Sequence, residues 1–544
     1  MCVKFSHMNY DYEVEEPVSL SMNPYTGAWT QAEAAHLLRR TLFGPTYQQI
    51  QDTVTNGMAA SVSQILNPIA VGTPEVVSTD EAVATMGGTW VSSPLPSTNQ
   101  AVTENARRNS LAAWIMQRLN TSSYSIQEQM CLFWQNHFAA EFTFDSRATY
   151  NYHEVIRTHC LGNFKQLVKD ITIDPCMLVF LSGTENNKFD PNENFARELF
   201  ELYTIGKGPQ IGPGDYTNYK EEDIQEAAKI LTGWLALGLG SDTDNDTYAQ
   251  FEPLLHDETT KTLSEHFDNA VINPNGANEY ADLIDTIFLQ DEVANFICRK
   301  LYRWFVNYDL TTTVENTVIV EMANTFRTNN YEILPVLSEL FQSEHFYDVA
   351  LRGAIIRNPL EHLFSIFNST HSVPNYTTPE NYALYEFAYG VAATTGMSYA
   401  QPPSVGGWTA YYQAPSYSQL WVNSTYVKLR FNVSDWLTLA GGFTAGGNNL
   451  EVNHLDFLDN LSVPADPNAV IDDMILVFCP KGLDIVKRTT LKTILTNGLP
   501  DFEWTIQYND YANDPGNPTF ADPVEQRVAL TLSQLFKMPE FQTI

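Results

Sequence analysis

Residues 190–202 combine acidic, basic and amide side chains with regularly spaced apolar ones. Helical spacing places three apolar residues, beginning with Phe195, at i, i+4 and i+7 on one buried stripe. Asn194, Glu198 and Glu201 repeat that spacing one residue earlier, so an amide and two carboxylates border the core. This position suits a metal ligand, a general acid or a structural ion clamp.

The same segment predicts where its helix begins. Asp190 is a favourable N-cap, Pro191 suits the first helical position, and Glu193 would complete a capping box. Arg197 and Glu201 lie at i, i+4, a spacing that permits an intrahelical ion pair. We therefore interpret Glu193 as structural and keep Arg197 and Glu201, with the two residues that border the core, as candidate catalytic groups.

Two histidines are candidates for the nitrogen ligands of a metal ion. His137 ends an apolar, aromatic helix, and His256 precedes Asp257 in a long acidic segment. Their imidazoles, with the carboxylates of Asp257, Glu198 and Glu201, make a donor set typical of zinc, manganese or non-haem iron. We predict that these side chains face one polar pocket; the alternative is a buried helix-end histidine and an exposed loop histidine.

Two arginines lie beside an apolar stripe on the first predicted helix. An unpaired guanidinium at such a position would be costly, so we predict that Arg39 or Arg40 contacts Glu198 or Glu201. Anion binding by the arginines is the other possibility. Both arginines are therefore candidate site residues.

Three aspartates alternate at Asp242, Asp244 and Asp246, as at the start of a calcium-binding EF-hand loop. Thr247 occupies the position of the required glycine, and Pro253 that of the closing glutamate. Calcium is therefore a weaker alternative to a solvated acidic loop. The glycine-rich motifs of nucleotide sites are missing from the sequence, so no nucleotide cofactor is expected.

An aromatic loop is predicted over 401–427. Its Ser404 has neither the nucleophile-elbow sequence nor a neighbouring base, so serine-hydrolase chemistry is not expected. The aromatic rings could stack on a polysaccharide, or they could plug the core beneath the loop. These rings belong to Trp408, Tyr411, Tyr412, Tyr417 and Trp421.

Charge and hydropathy exclude some partners. The chain has 544 residues and a formal net charge of −34. Such an acidic surface repels phosphate groups, so neither nucleic acid nor an anionic membrane is expected as a partner. No apolar run reaches the roughly 18 residues of a transmembrane segment. Residues 1–22 lack the basic and apolar regions of a signal peptide.

The six cysteines are scattered without a C-x-x-C pair. This spacing favours buried free thiols over a zinc ribbon or a dense disulfide framework. Cys160 and Cys176 are the one candidate pair.

Helical periodicity dominates, so the predicted fold is all-α, with long loops and a few short strands. We expect one multi-helix domain over 30–544, preceded by an extension over 1–29. A capping box that begins at Thr30 starts the first helix, and a second helix is predicted over 46–66. An irregular acidic insertion is expected over 236–278.

Eight short motifs follow one another along the chain, and a closing motif lies at 538–542. They are 35–40, 43–46, 133–138, 191–202 with Gly206, 231–234, 256–257 with Lys261, 401–408, and 421–425 with Arg430. Their order resembles the bacterial family catalogued as domain of unknown function 1800, over about residues 30–542. The resemblance implies an exported protein, extracellular or periplasmic, encoded near a sulfatase-like family, and it implies no established activity.

Three classes of function are compatible with these features. The most specific is a metal-assisted hydrolase or oxidoreductase that acts on an extracellular polymer. The second is a non-catalytic envelope-associated or matrix-associated protein that binds a polysaccharide or an envelope protein through the aromatic loop and the acidic surface. The third is a structural protein whose polar motifs are buried clamps.

Overall fold

The computed structural model describes residues 18–141 and 144–544. Helices make up 57% of the chain and strands 6%, so the prediction of a mainly α-helical, single-domain fold is confirmed. None of the helices in these ranges combines the length and apolarity that a membrane span requires.

The described helices, in chain order, are α1 (Gln31–Thr41), α2 (Tyr47–Asn56), α3 (Met58–Ile65), α4 (Gln100–Thr121), α5 (Gln127–Phe138), α6 (Ser146–His159), α7 (Phe164–Thr172), α8 (Pro175–Phe180), α9 (Glu193–Glu198), α10 (Glu221–Ile230), α11 (Glu279–Ile287), α12 (Asp291–Phe305), α13 (Thr312–Val314), α14 (Val320–Thr328), α15 (Ile333–Leu340), α16 (Pro359–Ser369), α17 (Thr378–Thr394), α18 (Thr409–Tyr412), α19 (Ser424–Leu439), α20 (His454–Asp459), α21 (Pro467–Phe478), α22 (Ile485–Thr496), α23 (Asp501–Asn513) and α24 (Pro518–Phe536).

The strands within the described ranges pair as four separate antiparallel hairpins. They are β1 (Gln210–Gly212) with β2 (Asp215–Tyr216), β3 (Trp234–Leu237) with β4 (Tyr248–Phe251), β5 (Lys261–Thr262) with β6 (Val271–Ile272), and β7 (Phe443–Ala445) with β8 (Asn448–Leu450). The acidic insertion over 236–278 holds most of two hairpins. No hairpin joins another in a larger sheet, so the core is built by helices.

Local sequence signals predicted the start of the first helix correctly but not the bounds of the second. The Thr30 capping box is present: the Thr30 side chain accepts from a backbone N–H of the first turn, and Glu33 accepts from the Thr30 N–H. The single helix predicted over 46–66 is wrong, because Gly57 divides it into α2 and α3. Gly57 has φ +78°, a conformation that glycine adopts without strain.

Segments from opposite ends of the chain meet at α1. Residues 18–29 run beside the segment after α15, where Pro24 bridges Ser343 and the Ser19 N–H donates to Asp348 at 2.6 Å. On its other side α1 packs against α21. The polar side chains of α1 are therefore enclosed by chain segments that lie far away in the sequence.

The five cysteines in the described part of the chain are buried and free, as predicted. Cys160 and Cys176, the candidate pair, are both among them. Cys2 lies outside the described residues.

Candidate functional site

The helix that carries the candidate carboxylates begins at Glu193, two residues later than predicted. The N-cap is Asn192, whose side-chain oxygen accepts from the Asn194 N–H at 2.9 Å; the prediction of Asp190 as the cap is wrong. Asn and Asp cap helices about equally well, so the sequence does not separate these two positions. Glu193 forms no capping box and pairs with Arg197 at 3.1 Å.

Beyond α9 the helix widens into a π-helical turn over Leu199–Thr204. Phe200 and Tyr203 are buried, whereas Leu202, predicted as part of the buried stripe, is only half-buried. The wider turn changes which side chains face the core, and the 3.6-residue period does not anticipate that change. Such π-helical turns are rare and are frequent at functional sites.

Glu201 is held by cationic and hydroxyl donors. Its carboxylate accepts from Lys207 Nζ at 2.9 Å and from the Tyr219 hydroxyl. Arg197 lies 3.6 Å away, so the predicted i, i+4 pair is confirmed. Arg197 also donates two hydrogen bonds to Glu221, at 2.8 and 3.0 Å. The charge of Glu201 is therefore well compensated.

Glu198 lies one turn earlier in a different setting. It is half-buried, and no side chain in the described ranges forms a hydrogen bond or ion pair with it. Burial and then the neighbouring charge of Glu201 raise the pKa of Glu198. Asn194, the third polar residue of this edge, is exposed and donates to the Leu181 carbonyl at 3.1 Å. Glu198 therefore binds its proton more tightly than a solvated glutamate does.

His137 is buried behind the same helix. Its Nε2 donates to the Tyr203 carbonyl at 3.1 Å, and its Nδ1 accepts from Lys300 Nζ at 2.9 Å. Lys300 also donates to the Leu202 carbonyl at 3.1 Å. Helix ends leave such carbonyl groups without intrahelical partners, so this His–Lys pair satisfies the end of the π-helical turn.

The His137–Lys300 pair contains no carboxylate. Burial and the charge of Lys300 lower the pKa of His137 well below its usual value. Burial and the charge of Arg303 lower the pKa of Lys300 to about 7. Both groups therefore lose their protons more readily than they would in water.

His256 belongs to a separate buried cluster. Its Nδ1 lies 2.9 Å from the Thr232 carbonyl, and its Nε2 lies 3.1 Å from a Glu279 carboxylate oxygen. Lys261 forms an ion pair with the same carboxylate and hydrogen-bonds the Asp257 carbonyl, while its Nζ lies 3.6 Å from the Asp257 carboxylate. We call His256, Asp257, Lys261 and Glu279 the Glu279 cluster.

The acidic and basic groups of the Glu279 cluster are in direct contact. Lys261 faces the carboxylates of Glu279 and Asp257, and both ring nitrogens of His256 lie within hydrogen-bond distance of an oxygen atom. Burial raises the pKa of Glu279, but the hydrogen bonds from His256 and Lys261 outweigh it and hold that pKa below its usual value. This compensation makes the cluster a clamp that ties the acidic insertion to α11.

The predicted metal centre gains no support from the contacts of these residues. His137 contacts Lys300 and the π-helical turn, His256 contacts Glu279, and Glu201 contacts Lys207 and Arg197. Within the described ranges no three His, Cys, Asp or Glu side chains are arranged to hold a metal ion. A shared pocket for His137, Glu198, Glu201 and His256 therefore stays a prediction, and the partners of His137, Glu201 and His256 are ones that the sequence does not reveal.

Arg39 and Arg40 are buried but do not reach Glu198 or Glu201. Arg39 Nη1 donates to the Leu476 carbonyl at 2.6 Å, and Arg40 Nη2 donates to the Leu351 carbonyl at 2.7 Å. These acceptors lie 437 and 311 residues away in the sequence. The predicted contact is wrong because distant backbone carbonyls serve as the acceptors.

The three alternating aspartates lie in the hairpin loop between β3 and β4. The Asp244 carbonyl accepts from Arg147 at 2.5 Å, and the Asp246 carboxylate accepts from Asn151 at 2.7 Å. These contacts anchor the loop to α6. Within the described ranges no three His, Cys, Asp or Glu side chains here are arranged to hold a metal ion. Calcium binding by Asp242, Asp244 and Asp246 thus gains no support.

The aromatic loop is packed mainly inward. Trp408 and Trp421 are buried, and the Trp408 N–H donates to the Asn136 side chain at 2.9 Å. Tyr411 stacks on Trp304 with ring centroids 4.4 Å apart, whereas Tyr412 is exposed. This packing favours the core-plug interpretation over an open platform for sugars.

Two of the key residues, Lys300 and Glu279, did not stand out in the sequence. Lys300 lies seven residues after Val293 and three after Ile297, on the apolar face of α12, so its position in a buried stripe was a visible signal. Glu279 is the first residue of α11 and carries no comparable signal.

Comparison with known proteins gives a family and no activity. No curated protein and no solved structure matches the chain. The family described as "Protein of unknown function (DUF1800)" matches residues 36–543, which is nearly the whole chain. The chain therefore belongs to this family.

Proposed function

We propose that this chain is a hydrolase that acts on a polymer and that Glu198 is its proton donor. One observation carries this function: two carboxyl groups one helical turn apart have opposite environments. Glu201 is ion-paired with Lys207 and Arg197, whereas Glu198 is half-buried without a partner in the described ranges.

This contrast is the usual basis for dividing acid and base roles between two carboxyl groups. Glu198, whose pKa is raised by burial and by Glu201, would donate its proton to the leaving oxygen of the scissile bond. Glu201, which contacts Lys207 and Arg197, would stabilise positive charge that develops on the substrate, while a water molecule attacks the carbon of the scissile bond and gives up a proton to solvent. Hydrolysis of a glycosidic bond, which passes through a cationic transition state, fits this pair.

A polysaccharide is the substrate class that we favour. Both carboxyl groups are partly open to solvent, so a long chain could lie across them. The β1–β2 hairpin supplies a half-buried aromatic ring at Tyr216, 4.4 Å from Lys207 Nζ, beside the Glu201 site. An extracellular or periplasmic location, which the family resemblance implies, would suit such a substrate.

The metal-assisted form of the hypothesis has less support. Among the residues proposed as ligands, His137, Glu201 and His256 are engaged in separate hydrogen-bonded networks, and the described ranges offer no single donor set. We therefore derive no step through a metal ion, and the chemistry is assigned to Glu198 and Glu201 alone.

The test is the release of new reducing ends from a panel of polysaccharides by the full chain and its variants. Glu198→Gln should lower the rate by about 10²–10⁴-fold, the usual contribution of a general acid. Glu222→Gln is the matched control, because Glu222 is 61% exposed on the neighbouring α10 and should leave the rate unchanged.

Two results would overturn this function. Equal rates for Glu198→Gln and the wild type would remove Glu198 from the chemistry. Binding of a polysaccharide by the wild type without any cleavage would favour the non-catalytic binding protein instead. Loss of activity in the presence of a chelator would favour the metal-assisted hypothesis instead. Elemental analysis of the purified protein would then identify the ion.

A further inference from the structure

A cavity of about 1120 Å³ lies between α1, the segment that follows α15, and the C-terminal end of α21. It is far from the Glu198 edge in sequence and shares no lining residue with it. Its cationic lining consists of Arg39, Arg352 and Lys481, and its aromatic lining includes Tyr25 and Tyr347. The two tyrosine rings are in contact, with centroids 4.9 Å apart.

Arg39 is the most deeply placed cation of this cavity, with only 4% of its surface exposed. Its Nη1 donates to the carbonyls of Leu476 and Val477, at 2.6 and 3.5 Å. Its Nε is buried and has no hydrogen-bond partner. Arg39 therefore lines the cavity with no carboxylate bound to it in the described ranges.

The surroundings of Arg39 are cationic. Burial lowers the pKa of Arg39 to about 9, and the nearby charges of Arg357, Arg352 and Arg40 act in the same direction. We call these four residues the arginine cluster. Arg40 leaves both Nε and Nη1 buried without partners.

Two buried carboxylates lie near the arginine cluster, and they do not balance it. Glu33 pairs with Arg352 at 2.7 Å. Glu361 accepts from the Asn358 N–H and the Gln129 side chain, and burial raises its pKa, which weakens it as a counter-charge. Four guanidiniums against two carboxylates leave two positive charges uncompensated, an arrangement that is costly in a protein interior.

The carboxylates that line the cavity are already engaged. Asp348 accepts from the N–H groups of Ser19 and Ala350, Asp472 pairs with Arg488, and Asp473 accepts from Ser462. Glu344, the fourth, accepts from the Thr26 hydroxyl at 3.3 Å. Lys481 is exposed and forms no ion pair in the described ranges. Arg39 and Lys481 therefore form no ion pair in the described ranges, and among the lining carboxylates only Asp472 does, because the donors to Asp348, Asp473 and Glu344 are uncharged.

We infer that this cavity binds an organic anion whose oxyanion head, a phosphate or a carboxylate, contacts Arg39 and Lys481. Oxygen atoms of a carboxylate or a phosphate accept strong hydrogen bonds from a guanidinium, and the ion pair would offset the uncompensated charge of the arginine cluster. The ring pair of Tyr25 and Tyr347 offers an apolar wall for the rest of the molecule. An inorganic ion alone would leave most of the cavity unfilled.

The test uses three probes at constant ionic strength: phenyl phosphate, benzoate and uncharged benzyl alcohol. Thermal unfolding and calorimetric titration of the full chain should show stabilisation and binding with at least one of the two anions and neither with benzyl alcohol. The anion that binds more tightly identifies the head group. Inorganic phosphate should bind more weakly than phenyl phosphate.

Two variants and one control locate the site. Arg39→Met should weaken binding of the better anion at least about tenfold, the value of a charge-assisted hydrogen bond. Lys481→Ala, at an exposed position, should weaken it about two- to fivefold, the value of an exposed ion pair. Lys428→Ala removes an exposed lysine of α19 outside the cavity and should change nothing.

Several results would overturn the inference. They are equal stabilisation by benzyl alcohol and the anions, an absence of binding by either anion, and unchanged affinity in both Arg39→Met and Lys481→Ala. If Arg39→Met fails to fold, the comparison of Lys481→Ala with Lys428→Ala still decides. None of these measurements depends on Glu198 or on hydrolysis.

Discussion

The Glu279 cluster and the arginine cluster both bury cationic side chains, and they differ in charge balance. In the Glu279 cluster, Lys261 and His256 both contact one carboxylate, and a second carboxylate at Asp257 lies 3.6 Å from Lys261. In the arginine cluster only Arg352 has an ion-pair partner in the described ranges, and backbone carbonyls accept from Arg39 and Arg40.

This difference separates a structural role from a binding role. A compensated buried cluster stabilises only if every partner stays in place, so it suits a clamp. An uncompensated cluster that lines a cavity has charge available for a ligand. The density of charged residues in a motif therefore says less about function than their balance after folding.

The largest effect is expected when the compensated cluster is broken. Glu279→Gln removes the carboxylate that His256 and Lys261 share and leaves a fully buried ammonium without its strongest partner. We expect the free energy of unfolding to fall by about 3–5 kcal/mol, measured by urea denaturation. Glu222→Gln, at an exposed site, should change it by less than about 0.5 kcal/mol.

A double variant provides the control for this prediction. Glu279→Gln combined with Lys261→Met removes both charges, so it should be less destabilised than Glu279→Gln alone. A loss below about 1 kcal/mol in the single variant would mean that the cluster is not a clamp.

An intermediate case is the His137–Lys300 pair, which is cationic only when Lys300 is protonated. The folded-state pKa of Lys300 is about 7, below the ordinary value of 10.5. Between these pH values Lys300 holds its proton in the unfolded chain but not in the folded chain, so the free energy of unfolding rises with pH across this window. Below pH 7 the stability lost by burying a charged Lys300 reaches its full value.

We therefore expect Lys300→Met to flatten this pH dependence. Relative to the variant, the wild type should gain about 1–3 kcal/mol in unfolding free energy from pH 7 to pH 9, measured by urea denaturation at both values. Lys428→Met should leave the slope unchanged. An identical slope in the wild type and Lys300→Met would show that Lys300 is protonated in the folded chain at pH 9.

Local signals predicted the parts of the fold that local interactions determine. The Thr30 capping box and the Arg197–Glu201 pair were correct because both partners lie within four residues on one helix. The helical class was correct because apolar periodicity extends along most of the chain. The helix predictions were wrong where the backbone departs from regular α-helical geometry, at Gly57 and at the π-helical turn.

The sequence pointed to Glu198 and Glu201 as candidate residues, but it did not predict the contacts that surround them. Glu198 and Glu201 were identified from their spacing, but the partners of Glu201, Lys207 and Tyr219, come from the segment that follows the helix. The partner of His137 lies 163 residues away at Lys300. A single sequence contains no information about such pairings, so the predicted convergence of histidines and carboxylates could not be tested by spacing.

Removing one charge from the arginine cluster should have a small effect on stability. In anion-poor buffer we expect Arg39→Met to change the free energy of unfolding by no more than about 1 kcal/mol, because relief of an uncompensated buried charge offsets the lost hydrogen bond to Leu476. Urea denaturation measures this. A loss as large as that of Glu279→Gln would mean that Arg39 is compensated and would weaken the contrast between the two clusters.

The smallest effect is expected at Glu198, where a carboxyl group has no described partner to lose. Glu198→Gln should change the unfolding free energy by less than about 0.5 kcal/mol at pH 7, because the amide matches the carboxyl group in shape and no described ion pair is lost. Glu201→Gln should cost about 1 kcal/mol, because it weakens the contacts with Lys207, Arg197 and Tyr219. Thermal and urea unfolding of both variants give the comparison. If Glu198→Gln were the more damaging change, Glu198 would be a structural group with a partner, and its role as proton donor would have to be abandoned.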